Sequence, residues 1–118
     1  MTEDDFREIA LALDGAVEGS HMGHPDFRAN GRIFASLHGN DVTGMVTLTP
    51  GQQAEFLRDH PAMFTPSRGA CGRQGCTNVK LAAAKRPPVR SAMLLAYQSA
   101  MEKPKPRPRA KRARATNR

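Results

Sequence analysis

The chain reads as an α+β domain with helices packed on an antiparallel sheet, in the order αβββαβα, followed by a basic, disordered C-terminal tail. Three observations carry this. Apolar residues recur at helical spacing near both ends of the body. Between Val17 and Thr49 the period shortens, and Gly, Pro and Asn punctuate it, as in an antiparallel meander. From Lys103 onward proline alternates with base and almost no apolar side chain remains, so burial cannot offset the entropy of ordering. At 118 residues with 39% apolar content, one domain of modest core is expected, spanning 1–102, with the tail at 103–118.

Each element has a local cause. Thr2 and Asp5 form a capping box with aspartate in the glutamate position, and Glu3 to Asp5 place negative charge where the helix dipole favours it. Phe6, Ile9, Ala10 and Leu13 then mark one buried face, predicting a helix from about Glu3 to Leu13 that ends at Asp14-Gly15. Asn30-Gly31 is a strong hairpin signal, because a type I′ turn needs positive φ at both central residues. A two-residue loop there puts Phe27 opposite Phe34; a bulged loop aligns Phe27 with Ile33, Ala35 and Leu37. Met45 to Thr49 predicts a further strand. Thr49 as N-cap, Pro50 at the first helical position and Gln52 at the capping-box position start a helix to about Arg58, with Phe56 and Leu57 inward. His60-Pro61 stops it. Met63 to Gln74 reads as loop, and Cys76–Leu81 as a strand. Pro87 and Pro88 open a last helix whose Val89, Ala92, Met93, Ala96 and Ala100 share a face.

Charge is distributed unevenly. The tail holds Lys103, Lys105, Arg107, Arg109, Lys111, Arg112, Arg114 and Arg118 with no acid, +8 in all; the body sets ten bases against eleven acids, giving −1. Eight bases without an acid are the usual footprint of a polyanion-binding arm. No apolar run approaches the ~20 residues that span a bilayer, and Glu3, Asp4 and Asp5 stand where a secretory signal would be basic and then apolar. A cytoplasmic, monomeric protein without membrane insertion is the expectation.

Catalytic and metal signatures are weak. His21, His24 and Asp26 invite a metal reading, but on an extended strand residues three apart point to opposite faces, so the histidines do not converge without a loop. No second ligand pair stands at zinc-like spacing, and no P-loop, dinucleotide or GxSxG motif is present. No enzyme activity, cofactor or metal is expected. Cys71 and Cys76 flank Gly72-Arg73-Gln74-Gly75; across a hairpin loop they would lie close enough for a disulfide, but in a reducing compartment two unbridged thiols are expected.

Two glycine-dense blocks, GSHMGHPDFRANGRIFASL from Gly19 to Leu37 and GACGRQGCT from Gly69 to Thr77, join an opening FREIALAL and the helix start at Thr49-Pro50. Together they resemble the MmcQ/YjbR family, small bacterial proteins of frataxin-like (CyaY-like) fold usually labelled DNA-binding. His24, Pro25, Asp26, Phe27, Arg28, Gly31, Arg32, Phe34, Gly72, Arg73, Gly75 and Thr77 stand where that family has them, over a match from about Phe6 to Tyr97. The positions of Cys71 and Cys76 commonly carry aromatics there, often tryptophan, which this chain lacks. The resemblance implies a double-wing DNA-binding arrangement, its wings at the Arg28–Arg32 hairpin and around Arg73.

The expected function is therefore non-catalytic DNA binding with little sequence preference. Arg28, Arg32, Arg73 and Lys80 are the body's candidate contacts, since arginine grips phosphate bidentately. Lys103, Lys105, Arg107, Arg109, Lys111, Arg112 and Arg114 supply most of the affinity through counterion release. The bland alternative makes the body's arginines solvated edges or partners of Asp26, Asp41 and Glu18. From other classes stand a small-molecule or metal-binding module using a cleft between the His21–Arg28 turn and Arg73-Gln74, and an adaptor whose tail binds RNA, the ribosome or an anionic membrane.

Overall fold

A capping box starts the fold. In a computed structural model, which describes residues 1–39 and 42–104, the Thr2 hydroxyl accepts from the Asp5 amide while the Asp5 carboxylate accepts from the Thr2 amide at 2.9 Å. This opens helix α1, Glu3–Leu11, which buries Phe6, Ile9 and Ala10. It ends two residues earlier than the apolar spacing implies, in a turn through Gly15 at φ 76°.

Four strands follow, one more than expected: β1 Val17–His21, β2 His24–Ala29, β3 Arg32–Leu37 and β4 Thr43–Thr47. Two tight turns make the meander. At Asn30-Gly31 both φ angles are positive, 56° and 72°, as the dipeptide predicts. The second turn, Met22-Gly23, has φ of 50° and 79° and gives no such sequence warning, because methionine rarely takes the left-handed region. The β2–β3 register combines the two alternatives. A two-residue loop pairs Ala29 with Arg32 and Arg28 with Ile33, then a bulge sets Phe27 opposite Ala35. Phe34 is thereby left without a partner across the bulge, and both phenylalanines are buried.

Helix α2, Pro50–Asp59, begins at the Thr49–Gln52 capping box, and its Phe56 and Leu57 lie half-buried against the core. The segment expected as loop from Met63 to Gln74 instead holds strand β5, Phe64–Pro66, and helix α3, Gly69–Arg73. Three and five residues are too short to show a period. What holds them is tertiary: Phe64 is buried opposite Val79, and a Cβ on Gly72 would lie 1.7 Å from the Ser67 carbonyl oxygen. Strand β6, Cys76–Lys80, and helix α4, Arg86–Glu102, complete the chain, so the observed order is αββββαβαβα.

The six strands form one antiparallel sheet in the order β1-β2-β3-β4-β6-β5. Glu18, Phe27, Ala35, Val46, Thr77 and Pro66 lie in register on one face. Helices α1 and α4 cover that face, and the core of Phe6, Phe27, Phe34, Val89 and Met93 sits between. Gly44 makes room for Phe6: a Cβ there would stand 2.7 Å from the ring. The next row, Gly19, Asp26, Ser36, Met45, Asn78 and Thr65, must face the other way. No helix among the described residues is long and apolar enough to cross a membrane.

Candidate functional site

The face turned away from α1 and α4 is polar, and Asp26 is its anchor. This carboxylate is fully buried, yet it accepts from Arg28 Nε at 2.8 Å, from a second Arg28 nitrogen at 3.0 Å and from His21 Nδ1 at 2.8 Å. Paired this way, a buried charge is tolerated. The hydrogen bond from Arg28 holds the Asp26 carboxyl below its usual range, against the opposing effect of burial. Since an ionised carboxylate only accepts, the His21 proton sits on Nδ1 and Nε2 is turned away from it. Gly19, opposite Asp26, leaves space for the pair, because a Cβ would come within 3.1 Å of Asp26 Oδ1.

The Met22-Gly23 turn pairs His21 with His24 across β1 and β2, so the two histidines stand in register on one face. This corrects the expectation that they diverge: the intervening pair is a turn, not extended strand. Continuing the β2–β3 register brings in His38, whose amide donates to the Thr43 carbonyl. Burial, and then the nearby charge of His24, holds the His38 imidazole below its ordinary value. These three imidazoles, with Ser36, Asn78 and Arg68, line a cleft of about 680 Å³. The Ser67 hydroxyl donates to Asn78 Oδ1 at 2.8 Å at its far side.

Cys71 also lines this cleft, and it is joined to Cys76 in a disulfide, with Cα atoms 5.2 Å apart. The expectation of two unbridged thiols is thus overturned. Cys71 lies on α3 rather than on a hairpin arm, and Gly75, at φ 115°, turns the chain sharply enough to bring it onto β6. Gln53 braces the same turn by donating to the Gly72 and Cys76 carbonyls at 3.0 and 2.9 Å.

A second cleft, about 650 Å³, opens beside the β2–β3 hairpin, lined by Arg28, Arg32, Gln74 and Lys103 among others. Here the hairpin grips the end of α4. Asn30 donates to the Ala100 and Lys103 carbonyls at 3.0 and 2.6 Å, and Arg32 donates to the Pro104 carbonyl at 2.8 Å. The Ala100 carbonyl in the last turn of α4, and the carbonyls of Lys103 and Pro104 just past its end, are satisfied by side chains 70 or more residues away. Arg32 Nε is buried beside them without a hydrogen-bond partner.

The predicted contacts are only partly gathered. Arg28, Arg32 and Lys103 surround the hairpin cleft. Arg28 is committed to Asp26, as the bland alternative proposed, whereas Glu18 pairs with Arg7 instead. Arg73 is exposed in the last turn of α3 and Lys80 at the end of β6, and neither lines either cleft. The Arg28–Arg32 hairpin exists; the wing expected around Arg73 is a short helix. Lys105, Arg107, Arg109, Lys111, Arg112 and Arg114 lie outside the described residues. Asp26, Ser36, His38, Arg68 and Asn78 escaped sequence reasoning as a group, since only long-range strand register unites them.

Sheet, one-sided core and polar open face define an α+β domain of the expected class. No family model matches the chain. The Deinococcus radiodurans protein DR2400, which carries a DUF419 domain, shares the fold with a TM-score of 0.71, covering 96% of this chain and 86% of that one at 17% identity. DUF419 is MmcQ/YjbR-like. Over 75 residues the chain is 35% identical to a 5-oxoprolinase subunit from Ralstonia nicotianae, a stretch that is 61% of this chain and 29% of that relative.

Proposed function

We propose that this chain is a cytoplasmic, monomeric MmcQ/YjbR-type protein that binds DNA without catalysis and with little sequence preference, the basic segment after α4 supplying most of the affinity. One observation carries the reading. The +8 segment begins at Lys103 and Pro104, whose carbonyls are held by Asn30 and Arg32, so it leaves the body from a fixed point beside the basic hairpin. Counterion release by lysine and arginine favours any duplex and carries no base information. The body contributes less, because Arg28 directs Nε and one terminal nitrogen of its guanidinium at Asp26 and Ser20. The 75 residues in common with the Ralstonia 5-oxoprolinase subunit cover 29% of that relative and support a shared domain.

The test is the salt dependence of duplex binding by the intact chain, with Arg28→Ala alongside. Eight tail contacts at most give a slope of log affinity against log salt no steeper than about −7, and Arg28→Ala should leave it unchanged. A flat slope, or loss of most affinity in an Arg28→Ala variant whose amide spectrum shows it folded, would contradict the proposal. Tighter binding to RNA or to anionic vesicles would reassign the partner.

A further inference from the structure

The geometry points to a second site, independent of DNA binding: the open-face cleft takes a small-molecule oxyanion, a carboxylate or phosphate, held between Arg68 and the imidazoles of His24 and His38. Its size is right, about 680 Å³, within the range of roughly 300–1,000 Å³ usual for small-ligand pockets. Its sign is right too. The described lining carries a guanidinium and three imidazoles, and no carboxylate. Asp26 lies beneath, but Arg28 balances its charge and, with His21, occupies its oxygens.

The donors are also uncommitted. Among the described residues, the side chains of Arg68, His24 and His38 make no hydrogen bond or ion pair; the same holds for Arg73 and Arg90, but those line neither cleft. Three cation-capable side chains from separate segments converge on one cleft without an acid among the described residues to receive them. His38 is also half-buried, so it has given up part of its water without its side chain gaining a partner among the described residues. An oxyanion would supply that partner to all three, and Ser36 and Asn78 on the floor add neutral polar groups for the rest of the molecule.

The experiment is an amide and imidazole NMR titration of the full chain with inorganic phosphate and, separately, succinate, at constant ionic strength. Saturable shifts are expected at His24, His38, Arg68 and Asn78, and the tighter of the two probes identifies the anion. Arg68→Gln should weaken binding about tenfold, as expected for a lost charge-assisted hydrogen bond. Arg68 is exposed and its side chain caps nothing, so the fold should survive; His24→Gln is the second variant. Shifts confined to the basic segment, shifts that never saturate, or unchanged affinity in both variants would overturn the site. Duplex DNA added to the phosphate complex should leave the cleft signals in place. Displacement of phosphate by DNA would make the cleft part of a nucleic-acid surface and end the small-molecule reading, while loss of DNA binding alone would leave it standing.

Discussion

The two faces of the sheet are built from alternate residues of the same strands, yet they do opposite work. Phe27 and its neighbour Asp26 are both fully buried, one in a core closed by α1 and α4, the other on the open face. Phe27 is held by shape, against Phe6 at a ring distance of 6.2 Å. Asp26 is held by three directed hydrogen bonds. Apolar contact is tolerant and additive, whereas a buried carboxylate is either fully paired or expensive. The open face is therefore organised around one residue, and the closed face around many.

That contrast is most easily broken from the closed side. Phe27→Ala removes a buried ring and leaves a cavity, so urea unfolding should show a loss of about 3–5 kcal/mol. Asp26→Ala should cost less, because Arg28 and His21 are 40% and 45% exposed and water can take up their hydrogen bonds. A loss of about 1–3 kcal/mol is expected; a loss equal to that of Phe27→Ala would mean that the open face carries as much of the fold as the core does.

The disulfide tests how firmly α3 is tied to the open face. It closes a short loop of sequence separation 5, and the chain-entropy estimate for so short a loop is about 2 kcal/mol. The Cys71→Ser, Cys76→Ser double variant should lose that much in a denaturant melt while keeping the sheet's amide dispersion. Loss of the β5 and β6 signals would show that the bridge, rather than Phe64, holds this edge.

The smallest effect is a pH dependence with two separate causes. His38 lies below its ordinary 6.5 because burial disfavours its charged form. Its contribution to stability is therefore present above 6.5 and is lost as pH falls from there towards its folded value. Asp26 is lowered from 3.8, so its contribution persists to lower pH and is lost only as pH drops below that value. His38→Gln should remove the upper phase of an acid unfolding curve and leave the lower one; an unchanged upper phase would move the effect to another histidine.

Where the chain states its own structure locally, it was legible. The capping boxes at Thr2 and Thr49, the Asn30-Gly31 turn and the proline-opened α4 all appear where their residues predict them. Features made by distant partners were not. Strand β5 exists because Phe64 pairs with Val79, α3 because Gly72 can approach Ser67, and the disulfide because Gly75 bends the chain. The open-face cluster has the same character. His21, His38, Arg68 and Asn78 are spread over 58 positions of sequence and meet only through register across five strands and the segment leading into α3. The bulge at Phe27–Arg28 marks the limit: Asn30-Gly31 closes a two-residue loop, but the Phe27–Phe34 pairing that such a loop implies fails, because the bulge sets Phe27 opposite Ala35.

The proposed DNA binding depends most on the division between a near-neutral body and the basic segment that follows α4. The most direct measurement is fluorescence anisotropy with a labelled duplex at about 0.1 M salt, where charges more than about 10 Å apart are screened, comparing the intact chain with one ending at Pro104. The shortened chain should fold as before and lose most of its affinity. Equal binding by the two chains would place DNA recognition on the body and contradict the proposed division.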